Sequence, residues 1–345
     1  MKALALDAVG GLDHLALREL PRPEIEAAGD VRVRVHAAAL NRLDLFVVDG
    51  LLGVTYCFPH IVGSDGAGVV ESVGAAVQGV RPGDRVMINP GISCGRCPAC
   101  AAGEESACAS FGVLGEHRPG TAAEYVVLPA ENLAPVPPDM SWVEAAAFSL
   151  ATLTAWRMLT TRAALRPGET VLIWGIGGGV AIAALQIARH LGARTIVTSG
   201  ADTKLEAARV LGADVAVNHA TGDVVAEVRR MTDGRGADVV VDHVGQARWR
   251  DSLRALRRGG RLVSCGATSG PMVSIDLRRL FWHQWSLFGS TLGSRREYAE
   301  IVALAHQGWL WPVVDLAVPL ADWPAAFARL QRGEQMGKLV LEVAT

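Results

Sequence analysis

The sequence has almost no net charge, no long apolar stretch among its first residues, no internal repeat and no low-complexity tract, and these absences close off several classes of function. Lys and Arg number 33 against 35 Asp and Glu, leaving a formal charge of −2 at neutral pH. That balance offers neither the basic face that nucleic acid requires nor attraction to a membrane surface. The first residues, MKALALDAVGG, carry one Lys and then Asp7, without the apolar stretch of about 7–15 residues found in a signal peptide. A cytoplasmic protein is therefore expected, with its six cysteines serving as thiols or metal ligands rather than disulfides. The longest uncharged run, Val171–Ala188, is broken by Gly175, Gly177, Gly178 and Gly179. It reads as a strand, a tight turn and a buried helix, not as a membrane span.

What is present describes a globular chain. Half of its 345 residues are hydrophobic and a fifth are charged, enough apolar material for two domains of ordinary size. The first part is rich in β-branched residues, Gly and Pro. VRVRVHAAAL from Val31 alternates as a half-buried strand should, and RPGDRVMINP and EYVVLP add turn-bounded strands. Near Ser141 the character changes. SWVEAAAF opens a helix with Ser141 and Glu144 at capping-box spacing. From Glu169 short apolar strands alternate with helices: VLIW, TIVTS, DVAVN, DVVVDHVG and RLVSCGA, with SLFGSTLG a candidate sixth and QARWRDSLRALRRGG read as one helix. That alternation predicts a parallel sheet covered on both faces, in the doubly wound dinucleotide-binding pattern. The tail from about Arg295 predicts two helices and a closing strand, GKLVLEV, that rejoins the first domain.

Two motifs carry chemistry. Cys94, Cys97, Cys100 and Cys108 form C-x2-C-x2-C-x7-C among glycines. Four thiolates suit one tetrahedral zinc with no open position, so the site would be structural and not catalytic; reduced thiols and an iron–sulfur cluster are the rivals. Cys57 and Cys265 are expected in the core. The second motif follows strand VLIW: Gly175, Gly177, Gly178, Gly179 and Val180. It lacks a strict G-x-G-x-x-G, because Val180 holds the sixth position, but Gly175, Gly178 and Ala181 keep small residues where a helix N-terminus approaches a pyrophosphate. The tip of the next strand lacks the carboxylate that an NAD site places on the ribose. It offers Ser199 and then Lys204, which suit the 2′-phosphate of NADPH, with NADH possible and Lys204 as a solvated helix residue the plain alternative. Asp202 sits where a helix N-cap is expected.

These pieces together resemble the medium-chain dehydrogenases/reductases, the group of zinc-containing alcohol dehydrogenases and quinone oxidoreductases. The resemblance runs through AALNRLDLFVVDG, PHIVGSDGAGVVESVG, VRPGDRV, the cysteine cluster, GTAAEYVV, the glycine turn and GKLVLEV. It implies an α/β chain: a GroES-like β domain over 1–145 completed by 291–345, a Rossmann domain over 146–290, and a cleft between them. The family's alcohol dehydrogenases bind a catalytic zinc through a Cys, a His and a Cys or acidic residue, where this chain has Asn41, Ser64 and Leu150, with Asp65 after Ser64. An amide, a hydroxyl and a hydrocarbon do not replace thiolate and imidazole. The expected reaction is therefore hydride transfer from NADPH to a quinone or α,β-unsaturated carbonyl, with Asn41, Asp44, Ser64 and Asp65 around the reacting end. Thr152 and Thr154 would lie beside the nicotinamide, and Val244, Gly245, Gly266 and Ala267 would contact the cofactor through their backbones. His60 and His117 are candidate proton donors, and Tyr56, Phe58, Phe111, Trp282 and Trp285 hint at an apolar pocket. An alcohol dehydrogenase with a displaced metal, using His60, Asp44 or Asp65, and a non-catalytic nucleotide-binding protein are the alternatives. A small carbonyl or quinone substrate, no nucleic acid, no membrane, and a homodimer or homotetramer complete the expectation.

Overall fold

The change of character near Ser141 becomes a division of the chain. In the computed structural model, which describes residues 1–343, Met1–Leu150 and the segment from Ser294 form one unit, and Ala151–Gly293 forms another. Among the described residues no helix is long and apolar enough to cross a membrane.

The first unit is organised by the strand Asp30–Leu40. Val31, Val33 and Val35 are buried while Arg32 and Arg34 face outward, the alternation of a strand with one covered face. From Ala37 onward every residue is buried, and the small side chains let neighbours pack on both faces. Asp65–Val73 pairs antiparallel along one edge, with Ala39 opposite Asp65. The closing strand Lys338–Glu342 pairs antiparallel along the other, with Leu339 opposite Leu40, and pairs in parallel with Val314–Pro319. Tyr125–Pro129 covers the start of the central strand. At the irregular register after Val35, a Cβ on Gly68 would collide with the Arg34 carbonyl, so glycine is required there. A strand absent from the sequence reading, Lys2–Leu6, builds a small sheet with Leu15–Glu19 and His60–Ile61.

The second unit holds six parallel strands: Thr170–Ile173, Arg194–Ser199, Val215–Asn218, Ala237–Asp242, Leu256–Ser264 and Ser286–Gly289. Numbered along the chain, their order across the sheet is third, second, first, fourth, fifth, sixth. That is the doubly wound order, in which the winding reverses between the first and fourth strands and ligands bind at the strand ends. Val171–Ile173 and Val239–Val241 are fully buried, as strands covered by helices on both faces must be.

Three local expectations are corrected. The segment QARWRDSLRALRRGG is helical only over Trp249–Ala255. Leu256 is extended and buried opposite Ala237, while Arg257 pairs with Asp238 and Arg261 with Glu169 at 2.5 Å, so burial and ion pairing override helix propensity. Cys57 is exposed and not a core residue. The N-cap of helix Asp202–Val210 is Ala201, not Asp202; Asp202 occupies the first turn, where its carboxylate accepts from Asn218 Nδ2 at 2.8 Å.

Candidate functional site

Strand register builds the first group of polar residues. Asn41 follows the central strand, and the pairings of Ala39 with Asp65 and of Leu40 with Leu339 set Asp65 and Lys338 on either side of it. Lys338 Nζ donates to Asn41 Oδ1 at 2.5 Å and to Asp65 Oδ2 at 2.8 Å, and Asn41 Nδ2 donates to Asp65 Oδ2 at 3.0 Å. Leu150 N donates to Asp65 Oδ1 at 2.7 Å. Asn41 also caps helix Arg42–Asp49, in which Asp44 Oδ2 accepts from Asn41 N at 2.6 Å and Oδ1 from Gly63 N at 3.0 Å. Asn41, Asp44, Ser64, Asp65 and Lys338 are all buried, and Lys338 is only 5% exposed. Burial pushes the Asp44 carboxyl up to about 6, against the opposing pull of the Asn41 and Gly63 amides and the Lys338 charge. Ser64 Oγ has no hydrogen-bond partner.

Asn41, Asp44 and Asp65 therefore stand together, and the sequence reading missed their cation. Its signal was a Lys leading into the apolar run LVL of the closing strand, since a buried Lys demands a partner. The two histidines are engaged elsewhere. His60 Nε2 lies 3.0 Å from the Gly115 carbonyl, the ring packs edge-on against Tyr56, and burial lowers its pKa. His117 Nδ1 accepts from Val113 N at 3.3 Å. Of the five aromatics, Tyr56 and Phe58 are neighbours, Trp285 is in the core of the second unit, and Trp282 is 64% exposed.

The cysteine loop is shaped by Gly95 and Gly103, both at positive φ, and by a short helix, Pro98–Ala101. Arg295 anchors it through Ser93 Oγ at 3.1 Å and Glu131 at 2.8 Å. The sulfurs of Cys94, Cys97, Cys100 and Cys108 all lie within 4.8 Å of one another, with Cys97–Cys100 and Cys94–Cys108 at 3.5 Å and Cys94–Cys100 at 3.9 Å. A zinc tetrahedron with bonds of about 2.3 Å has edges of about 3.8 Å, so the cluster fits one ion. Hydrogen bonds from the Arg96 and Cys97 amides lower the Cys94 thiol to about 6, favouring the thiolate that a metal needs.

In the second unit the chain leaves strand Thr170–Ile173 through Gly175 and Gly177, both at positive φ, and enters helix Gly179–His190 with Gly178 as N-cap. Gly175 N donates to Thr198 Oγ1 at 3.2 Å, and a Cβ on Gly175 would lie 3.1 Å from the His243 ring. Ala181 is fully buried, as the third small position of the turn should be. The helix's first amides, from Gly179 and Val180 on, are those that a helix cannot pair internally, and they suit a pyrophosphate. At the tip of the second strand Ser199 Oγ accepts from Ala201 N at 3.1 Å, with Lys204 half-buried one helical turn on. After the fourth strand, Asp242 Oδ1 accepts from both Val244 N and Gly245 N at 2.9 Å. A Cβ on Gly245 would come within 2.7 Å of the Gly270 carbonyl and 3.0 Å of Ala267, so this loop and the one carrying Gly266 and Ala267 pack backbone to backbone. Thr152 and Thr154 are buried in helix Trp142–Arg157.

Residues 27–138 match the family model of the alcohol dehydrogenase GroES-like domain, and residues 179–307 that of the zinc-binding dehydrogenase. An alcohol dehydrogenase from Geobacillus stearothermophilus is 32% identical over 95% of this chain and 96% of its own length. The chain belongs to the medium-chain dehydrogenase/reductase family, in its zinc alcohol dehydrogenase-like group. An L-threonine 3-dehydrogenase from Anaeromyxobacter is 34% identical over 95% of this chain and 96% of its own. A solved structure of an NAD-dependent alcohol dehydrogenase superposes with a TM-score of 0.96 at 45% identity, covering all of both chains. This medium-chain dehydrogenase/reductase is an NAD(P)-dependent oxidoreductase, and its fold combines a GroES-like domain with a parallel sheet.

The family's second metal meets a different reception. At the three positions where the resemblance places catalytic-zinc ligands, this medium-chain oxidoreductase offers the Asn41 amide, the Ser64 hydroxyl and the Leu150 hydrocarbon. The one oxygen of Asn41 and an oxygen of Asp65 already accept hydrogen bonds from the Lys338 ammonium. Neither softness nor charge suits zinc there, and the residues do not fit the ion.

Proposed function

We propose that this oxidoreductase carries hydride from NADPH to a quinone or an α,β-unsaturated carbonyl, with one structural zinc and no catalytic one. The observation that carries the reading is the ammonium of Lys338 seated between Asn41 and Asp65, where an alcohol-oxidising relative would need a Lewis acid. Alcohol oxidation requires a deprotonated hydroxyl, which a metal provides by lowering its pKa. An electron-poor acceptor needs only to be positioned and to have charge stabilised on its oxygen.

NADPH, when bound, supplies the hydride. Gly175, Gly177, Gly178, Gly179 and Val180 would take its pyrophosphate, and Ser199 and Lys204 its 2′-phosphate. Val244, Gly245, Gly266 and Ala267 would line its path with backbone, and Thr154 would border the nicotinamide. Asn41, held in one orientation by an ammonium on its oxygen and a carboxylate on its nitrogen, and Ser64, with an unused hydroxyl, would face the acceptor. Asp65 and Asp44 would hold them in place. Cys94, Cys97, Cys100 and Cys108 would bind the structural zinc.

Metal analysis joined to an acceptor panel tests this. About one zinc per chain with NADPH oxidation by quinones or enones is the expected result; about two per chain with alcohol oxidation would overturn it. The second outcome is the alternative favoured by the relatives' names, which are those of alcohol dehydrogenases. A homodimer is supported by the sixth strand, Ser286–Gly289, at the sheet edge and by exposed Leu277, Phe281 and Trp282 just before it, since an apolar edge invites a copy of itself. Sedimentation as a monomer would dismiss that assembly.

A further inference from the structure

Lys338 is a buried cation with a donor left over. An ammonium carries three N–H bonds. Two are directed at Asn41 Oδ1 and Asp65 Oδ2, and the ammonium makes no third hydrogen bond to the described residues. A buried donor without an acceptor destabilises a fold, and in a native protein such a deficit marks the place of a missing atom. The hydroxyl of Ser64, next to Asp65 in the chain, is also buried and makes no hydrogen bond among the described residues. Asn41 between them has no freedom to flip: the ammonium requires its oxygen and the Asp65 carboxylate its nitrogen. This corner of the first unit is built to present hydrogen-bond donors to an oxygen that the chain itself does not provide.

We infer that Lys338 is a catalytic residue whose ammonium meets the oxygen of the carbonyl or quinone acceptor and protonates it during reduction. The inference rests on the reductase reading above. In the step, the acceptor carbon gains a C–H bond and two electrons from the reduced nicotinamide, and the acceptor's π pair moves onto its oxygen. That oxygen forms an O–H bond with a proton from Lys338 as the N–H bond breaks, and the amine regains a proton from water. In sum, one reduced nicotinamide, one acceptor and one proton give oxidised nicotinamide and the reduced product, an enol relaxing to the ketone when the acceptor is an enone. Before the acceptor arrives, Asp65 balances the charge. As negative charge grows on the acceptor oxygen, the ammonium lies against it in a site of low dielectric, where such an interaction is far stronger than in water. Of the two histidine candidates, His60 Nε2 faces the Gly115 carbonyl and His117 Nδ1 accepts from the Val113 amide, so neither of those nitrogens serves the acceptor oxygen.

The test compares the wild type with Lys338→Met/Asp65→Asn, a double variant that removes both charges and leaves neither buried alone. Circular dichroism, the melting transition and NADPH binding by nucleotide fluorescence establish that the variant is folded and loaded. The expected result is nucleotide affinity unchanged within about threefold and kcat toward quinones or enones lower by about 100-fold or more, the scale of a lost proton donor. A solvent deuterium isotope effect on kcat should be present in the wild type and absent in the variant. A readout free of turnover is the spectrum of bound 4-nitrophenol, whose oxygen stands in for that of the acceptor. At a pH where free nitrophenol is mostly neutral, the wild type should hold it as yellow nitrophenolate and the variant should not. A folded, nucleotide-binding variant that keeps kcat within about threefold, or that holds nitrophenolate as the wild type does, overturns the role of Lys338. A wild type inert toward every quinone and enone but active on alcohols overturns the reductase reading instead, and the nitrophenolate spectrum then still decides whether Lys338 meets a substrate oxygen.

Discussion

Asp44→Asn isolates the effect of one buried ionisable group on stability. Asp44 is fully enclosed, and burial raises its carboxyl from 3.8 to about 6. The fold therefore favours the neutral acid, and the stability this contributes is complete below pH ~4 and lost as pH rises through about 6. A shift of roughly two units corresponds to about 3 kcal/mol. Asparagine does not titrate. It keeps one acceptor for the Asn41 or Gly63 amide and turns an NH2 toward the other, a cost of about 1–3 kcal/mol that does not depend on pH. The wild type should thus lead the variant by most at pH 4.5, and its lead should shrink by about 2 kcal/mol by pH 8, the rest of the roughly 3 kcal/mol having already gone below pH 4.5. Urea unfolding of both chains at several pH values in this range, read on the transition of the unit that holds residue 44, measures the difference, and the other titrating groups common to the two chains cancel. A difference that stays constant within about 0.5 kcal/mol, the ordinary error of additivity, would refute the assignment of a raised carboxyl. So would a lead that grows with pH, the signature of a carboxylate stabilised by the fold.

Two further outcomes are expected. Cys97→Ser should reduce bound zinc from about one per chain to near none and lower the melting temperature, as metal analysis and calorimetry would record; a chain that keeps its zinc contradicts the four-thiolate site. Ser199→Asp should move the ratio of kcat/KM for NADPH over NADH toward NADH by about tenfold or more, equivalent to about 1.4 kcal/mol, because a carboxylate repels the 2′-phosphate and accepts from a ribose hydroxyl; an unchanged ratio in steady-state kinetics would place the 2′-position elsewhere.

The legible parts of the molecule are those whose signals are local. The parallel sheet could be read because Val171–Ile173 and Val239–Val241 are apolar on both faces and because a glycine turn follows the first strand. The cysteine cluster could be read because its four ligands fall within fifteen residues of one another. Lys338 could not, because it joins Asn41 from 297 residues away through a strand register that no local window contains. The end of helix Trp249–Ala255 was misplaced for a related reason: the pairing of Leu256 with Ala237 and the Arg257–Asp238 ion pair override the helical preference of the Arg-rich stretch. Cys57 was assigned to the core from residue type alone, and an exposed loop position gives no sequence sign that separates it from a buried thiol.

The edge pairing of the closing strand has a consequence for biosynthesis. A ribosome delivers Asp65 early and Lys338 only after all of residues 151–293 have emerged. Throughout that interval the carboxylate destined for a dry interior has no counter-ion, and enclosing it alone would cost several kcal/mol. The first unit therefore has reason to stay open at this corner while the second one folds, and to shut only when its last strand arrives carrying the matching charge.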